Sequence, residues 1–230
     1  MLEEKPILSI ETSGGLCGVC AYFDDQKYFE SSAHLKNSHA EKLFGLVDFV
    51  VKSSGFQLKD FEAIAVSAGP GSFTGLRIGM SAAKGIAFGS SLPIIPVPTF
   101  EALAFQICSY LSDGEEFIIA NKVNLEEIYY AKFRSNISLI DKSNNYIFVE
   151  NLKILKRTEF QSLKKDCLIF GNVESSSNDF IKHVRIKMEA PSSFYVARWS
   201  RYFGKDFLTE DYDYIEPNYL KNFIVKEHKK

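Results

Sequence analysis

ILSIETSGGLCGVCAYFDDQKYFESSAH, from Ile7 to His34, holds three β-prone runs before any helical period begins. The run ILSI (7–10) ends in the turn residues ETSGG. LCGVCAYF (16–23) follows at hairpin distance, and KYFESSAH (27–34) comes after the acidic turn of Asp24 and Asp25. Apolar runs separated by Gly, Ser and Asp read as a β-meander. A doubly wound Rossmann sheet needs a helix after its first strand, so three consecutive strands fit a mixed, helix-covered sheet better.

Beyond His34 the period changes to 3.6. Ala40, Leu43, Phe44, Val47, Val50 and Val51 recur at helical spacing, with Ser38 as N-cap, Glu41 as its capping-box partner and an end near Gly55. AIAVS (63–67) is a short buried strand that runs into GPGSFTG and a second helix ending about Gly89. PIIPVP is a further strand, and TFEALAFQICSYL a third helix opened by Thr99. The order βββαβαβα predicts an α/β fold of the actin-like or ribonuclease-H-like kind, a mixed sheet flanked by helices. After Leu111 the turn SDGEE marks a boundary between a first lobe, 1–111, and a smaller second lobe, 112–230. The second lobe holds the β-rich runs FIIANKV, EIYYAKF, YIFVENLKIL and CLIFGNV and one helix, SSFYVARWSRYFG, after Pro191.

The 230 residues are 46% hydrophobic and 24% charged, with 20 Phe, enough apolar surface to build a core and exclude bulk disorder. Lys and Arg number 27 against 29 Asp and Glu, a formal charge of −2. A chain that grips nucleic acid unaided needs a basic surplus to displace condensed counterions, so direct nucleic-acid binding is not expected. Four scattered cysteines, acids where a signal peptide is basic, and no apolar run of about 20 residues predict a reduced, cytoplasmic, soluble protein.

The most specific stretch is AVSAGPGSFTGLRIGMSAAKGIAFG, 65–89. It is neither a P-loop, since Leu76 and Arg77 stand where Lys and Ser/Thr are needed, nor a GxGxxG fingerprint. What remains is a glycine turn feeding a helix N-terminus, where the N–H groups around Gly71, Ser72 and Thr74 suit an anion. Gly75, Gly79, Gly85 and Gly89 each cost a helix about 1 kcal/mol relative to Ala, which points to close packing. Gly75, Gly79, Ala82, Ala83 and Ile86 share one side, with Arg77, Ser81 and Lys84 toward a more polar one. Spacing leaves open whether the neighbour is intramolecular or a second protein. On the first helix, Leu43, Phe44, Val47, Val50 and Val51 suffice for a core stripe, and Leu46 and Phe49 widen the apolar arc toward a second burial partner.

No catalytic constellation emerges. Cys17 and Cys20 are three apart on a strand and point to opposite faces, which prevents joint chelation. His34 and His39 are not at HxxxH spacing, and His183 and His228 are remote. GSFTG departs from the GxSxG elbow, and Glu11 has no reacting neighbour. No metal site or cofactor is expected.

ILSIETSGG, NSHAEKLFGLVDFVV, AIAVSAGPGSFTGLRIGMSAAKGIAFG, PIIPVPTFEALA and the late PNYLK together resemble the TsaB family, also called YeaZ, strongly over residues 7–104 and again at 217–221. The family opens with Asp-Thr-Ser where this chain has Glu11, Thr12 and Ser13, and ANKVNLEE (120–127) replaces its Asp-Ala-Arg segment. The resemblance implies an actin-like, two-lobed accessory subunit, itself non-catalytic. It would pair with the catalytic subunit TsaD and let TsaE dock for threonylcarbamoylation of the adenosine beside the anticodon in tRNA. It would meet tRNA only through the complex and form a homodimer when TsaD is absent. The two helices would join a bundle with the matching pair of TsaD, with Leu43, Leu46, Phe49, Val50, Gly75, Arg77, Gly79, Ala82, Ala83 and Ile86 binding the partner. The competing reading is an independent actin-like ATPase or small-molecule kinase. A metallopeptidase, which would bind zinc, is a third.

Overall fold

The computed structural model describes residues 5–34, 39–136, 145–163, 166–173 and 185–220. The meander forms as read: β1 (Ile7–Glu11) pairs antiparallel with β2 (Cys17–Asp24), Ile10 opposite Val19, and β2 with β3 (Lys27–Ala33). The chain continues through α1 (His39–Ser54), β4 (Ala63–Gly69), α2 (Phe73–Ser90), β5 (Ile94–Pro98) and α3 (Thr99–Cys108). Strands β4 and β5 add parallel to β1, giving the sheet order β3-β2-β1-β4-β5. This is the mixed, helix-covered sheet that three leading strands require.

Period-two alternation divides β1 between two cores. Leu8 and Ile10 face α1 and α2, packing with Leu43, Val47, Val50, Met80, Ala83 and Ala87. Ile7 faces the other side, with Ala102 and Phe105 of α3. The two strand cysteines separate in the same way, Cys17 into the first cluster and Cys20 into the second. Burial raises both thiols, Cys17 to about 11, so neither is a ready thiolate.

The second sheet has the order β10-β9-β6-β7-β8. Its strands are β6 (Glu116–Lys122), β7 (Glu127–Ser135), β8 (Tyr146–Lys156), β9 (Leu168–Gly171) and β10 (Arg185–Ile186), with α4 (Arg157–Ser162) after β8. Helix α3 is wedged between the sheets. Ala102 and Phe105 reach the first, while Phe100, Leu103, Ala104 and Ile107 pack on Phe117, Ile119 and Phe133 of the second. A helix sandwiched in this way must be largely apolar, as TFEALAFQIC is apart from Glu101 and Gln106, which accept hydrogen bonds from Tyr146 Oη and Ser192 N.

Two placements differ from the sequence reading. Helix α5 (Ser193–Phe203), assigned by sequence position to the 112–230 lobe, returns to the first sheet, where Val196, Ala197 and Trp199 pack on Ile7, Cys20 and Tyr22. On α1 the buried stripe is Leu43, Val47 and Val50. Phe44, read as core, is 60% exposed, and Ala40 is exposed too. The sheet is reached by a narrower arc than the apolar residues span. Ser38 and its capping box lie outside the described residues, as do His183, Lys221 and His228. No helix of the described residues is long and apolar enough to cross a membrane.

Candidate functional site

Two surfaces concentrate what the core does not use: the outer side of α1 and α2, and a cleft between the two sheets.

The small-residue side of α2 points inward. Ser72 caps the helix, its Oγ accepting from Gly75 N at 3.2 Å, and its own N–H donates to Ser13 O at 2.7 Å. Thr12, just past β1, donates from Oγ1 to Gly75 O at 2.8 Å. A Cβ on Gly75 would collide with the Thr12 carbonyl, and one on Gly79 with the Thr12 hydroxyl. The glycines therefore admit the chain's own backbone. This corrects the partner assignment of Gly75, Gly79, Ala82, Ala83 and Ile86, all buried, and of Leu43 and Val50, 0% and 1% exposed. A side chain already enclosed by its own sheet has no surface to offer a second protein.

Three residues of that set remain toward solvent: Leu46, half-buried against the core, Phe49, 59% exposed, and Arg77. Phe44 and Phe88, the latter 76% exposed with Tyr212 at its edge, join them. A Cβ added at Gly45, Gly85 or Gly89 would meet nothing within 4 Å. The glycines that face open space are thus a different set from the one that spacing suggested. Phe88 was legible: it continues the row Arg77, Ser81, Lys84 at helical spacing, an aromatic ring on a polar face.

The cleft has a volume of about 480 Å³. Gly71 and Ser72 line it with Ser13 and Gly14, facing Asn121 and Lys122. Thr74, the third residue read as anion-binding, is exposed but is not part of the lining. The PNYL segment closes one end. Asn218 N donates to Ala68 O at 2.7 Å, and Tyr219 packs on Phe73 at 4.9 Å and receives a hydrogen bond from Arg77 Nε at 3.1 Å. Arg77 also lies 3.9 Å from the centre of the Phe73 ring. His39 turns inward from the helix start, its Nε2 3.1 Å from Gly14 O.

Glu11 lies behind the cleft floor, 1% exposed. Its Oε1 accepts from Ser13 N at 2.5 Å and Ser13 Oγ at 2.6 Å, and its Oε2 accepts from Ser67 Oγ. Burial raises its pKa to about 7 against the opposing hydrogen bonds. The folded state holds this proton more tightly than the unfolded chain, so the contribution to stability is full below about 4.5, falls as pH rises to about 7 and is flat above. Glu11→Gln is expected to remove that slope, on the order of 3 kcal/mol between pH 4.5 and 8, in urea titrations at the two pH values. An unchanged slope would place the titrating group elsewhere. Among the described residues no three His, Cys, Asp or Glu side chains converge as metal ligands.

A mixed sheet with α1 and α2 on one face and α3 and α5 on the other, joined through a cleft to a second helix-flanked sheet, defines the actin-like class of two-sheet α/β proteins. The family model described as "TsaD: tRNA N6-adenosine threonylcarbamoyltransferase" matches residues 33–170, more than half of the chain, and the chain belongs to that family. It is 30% identical over 131 residues to the tRNA threonylcarbamoyladenosine biosynthesis protein TsaB of Haemophilus influenzae, covering 57% of this chain and 55% of that one. It is 29% identical over 170 residues to the protein of the same name from Buchnera aphidicola subsp. Baizongia pistaciae, covering 73% and 75%. The chain thus spans about half the length of the Haemophilus relative and three quarters of the Buchnera one. The solved structure of YeaZ from Pseudomonas aeruginosa superposes with a TM-score of 0.74 at 18% identity, over 94% of this chain and 100% of that one, which shows the shared fold. The resemblance to the TsaB (YeaZ) family is borne out by these relatives.

Proposed function

We propose that the chain is a non-catalytic subunit of the machinery that makes threonylcarbamoyladenosine in tRNA. It pairs through the outer side of α1 and α2 with the catalytic TsaD subunit, and the pair recruits TsaE. The observation that carries this is the exposure of large rings on both helices. Phe44 and Phe49 of α1 and Phe88 of α2 are 59 to 76% open, and Gly45, Gly85 and Gly89 have empty space above them. Apolar side chains left uncovered on two helices fit a helix-on-helix contact, with rings as anchors and glycines admitting a foreign backbone. The names of the relatives supply the pathway. In the absence of TsaD the same face pairs with a second copy. The chain acts in the cytoplasm and meets tRNA through its partners, in keeping with a net charge of −2.

An independent ATPase or kinase finds less support. Glu11, the one acid at the end of β1, is enclosed by Ser13 and Ser67 rather than open to a magnesium ion. The test is to mix the chain with the TsaD subunit of the same organism, following co-elution and the gain in tRNA modification. Separate elution with no gain would overturn the proposal, and ATP hydrolysis by the chain alone would restore the alternative.

A further inference from the structure

The outer side of α2 carries Arg77, Ser81, Lys84 and Phe88 in one row at helical spacing. Its charge is one-sided. FTGLRIGMSAAKGIAFGS holds no acidic residue, and neither of its two cations pairs with a carboxylate among the described residues. The neighbouring helix differs: on α1 Lys52 pairs with Asp48 at 2.7 Å, and Lys42 with Glu41. Tyr212 brings the acid-rich 210–216 segment against Phe88, yet none of those acids forms an ion pair with Arg77 or Lys84.

Arg77 is also held in place. Its guanidinium lies 3.9 Å from the centre of the Phe73 ring and 5.9 Å from that of Tyr219, and its Nε donates to Tyr219 Oη at 3.1 Å. The stack and the Nε bond restrict a long, exposed side chain before any partner arrives, so little rotamer freedom is left to lose. Both terminal nitrogens are without a hydrogen bond among the described residues, the fork that a carboxylate fits. Lys84, half-buried two turns along, makes no hydrogen bond or ion pair there either.

We infer that this row is the charged part of the partner contact, and that the partner meets it with an acidic helix face whose carboxylates pair with Arg77 and Lys84. The inference rests on the pairing proposed above and names the chemistry of the opposing surface. Covering the outer side of α2 takes two cations out of water, and a buried charge without a counter-charge is strongly unfavourable. Seven helical residues separate the two by about 10 Å along the axis, which sets the spacing of the acids opposite. A second copy is a poorer match, because on this face its acids Glu41 and Asp48 already have lysines. An RNA surface would need a broader basic field than a chain of net charge −2 supplies.

The TsaD subunit of the same organism is titrated into the full chain at about 0.05 M and about 0.5 M salt. Wild-type affinity is expected to fall at least about tenfold between the two. Arg77→Gln combined with Lys84→Gln should bind at least about a hundredfold more weakly at low salt and lose most of the salt dependence. Arg77→Lys, which keeps the charge without the fork, falls between them. Lys84→Gln alone carries the test if loss of the Arg77 stack disturbs the PNYL segment, with about a tenfold loss and a shallower salt slope. A double variant that binds like the wild type at both salt concentrations overturns the inference and leaves the pairing standing, whereas a wild type that does not bind TsaD overturns both. Weaker binding with an unchanged salt slope would mark a packing role and overturn it. So would tRNA binding by the chain alone that the double variant loses while its affinity for TsaD holds.

Discussion

Gly75→Ala is expected to lower stability by about 2 kcal/mol, although alanine is the better helix former by about 1 kcal/mol. The added methyl would collide with the Thr12 carbonyl, which is backbone and cannot rotate away. To make room, α2 must leave the end of β1, and the Thr12 Oγ1 to Gly75 O bond at 2.8 Å goes with it. Overpacking of about 1–3 kcal/mol plus a buried hydrogen bond of about 1 kcal/mol outweighs the gain in propensity. Gly85→Ala, on the same helix with open space at its Cβ, meets no such opposition and should stabilise by up to about 1 kcal/mol. Urea titration checks both, with midpoints moving in opposite directions. A Gly75→Ala variant as stable as the wild type would mean that Thr12 does not abut the helix.

Phe44→Asp combined with Phe88→Asp is expected to weaken pairing with the TsaD subunit by about a thousandfold or more. Each buried aromatic anchor contributes roughly 2 kcal/mol or more at an interface, and about 4 kcal/mol is a factor near 10³ in affinity. A carboxylate forced into the contact adds a desolvation cost. Both rings are more than half exposed in the free chain, so the melting transition should stay within about 0.5 kcal/mol of the wild type. Phe49→Ser acts in the same direction. Leu46→Ser also costs stability, because Leu46 packs on the core. Calorimetric titration against TsaD checks the affinity, and wild-type binding by the double variant would remove this face from the interface.

The inward turn of the small-residue side of α2 has a physical origin. Helical spacing sorts α2 into a small-residue side and a polar side, and both sides are real. Closeness of approach is what glycine at 75 and 79 records, yet spacing carries no mark of whose backbone approaches. On α1, Phe44 and Leu43 are adjacent in sequence and equally apolar, but Leu43 is 0% and Phe44 60% exposed, since the sheet reaches only one side. Glu189, which lines the cleft and accepts from Gly15 N and Asn172 Nδ2, had no local signal. These partners lie 174 and 17 residues away, and nothing in KMEAPSS announces a carboxylate held in a cleft.

What the sequence by itself determined is the succession of elements and the class of sheet, because strand and helix periods, glycine turns and Ser72 as a cap act over a few residues. The family likeness is legible there too, in GPGSFTGLRIG and in PNYL, which docks beside that turn through Asn218 and Tyr219. Only the tertiary structure decided which side of each helix is spent on the core. That choice depends on Thr12 reaching Gly75 across 63 residues and on α5 returning to the first sheet, contacts between segments whose local patterns are unchanged by meeting.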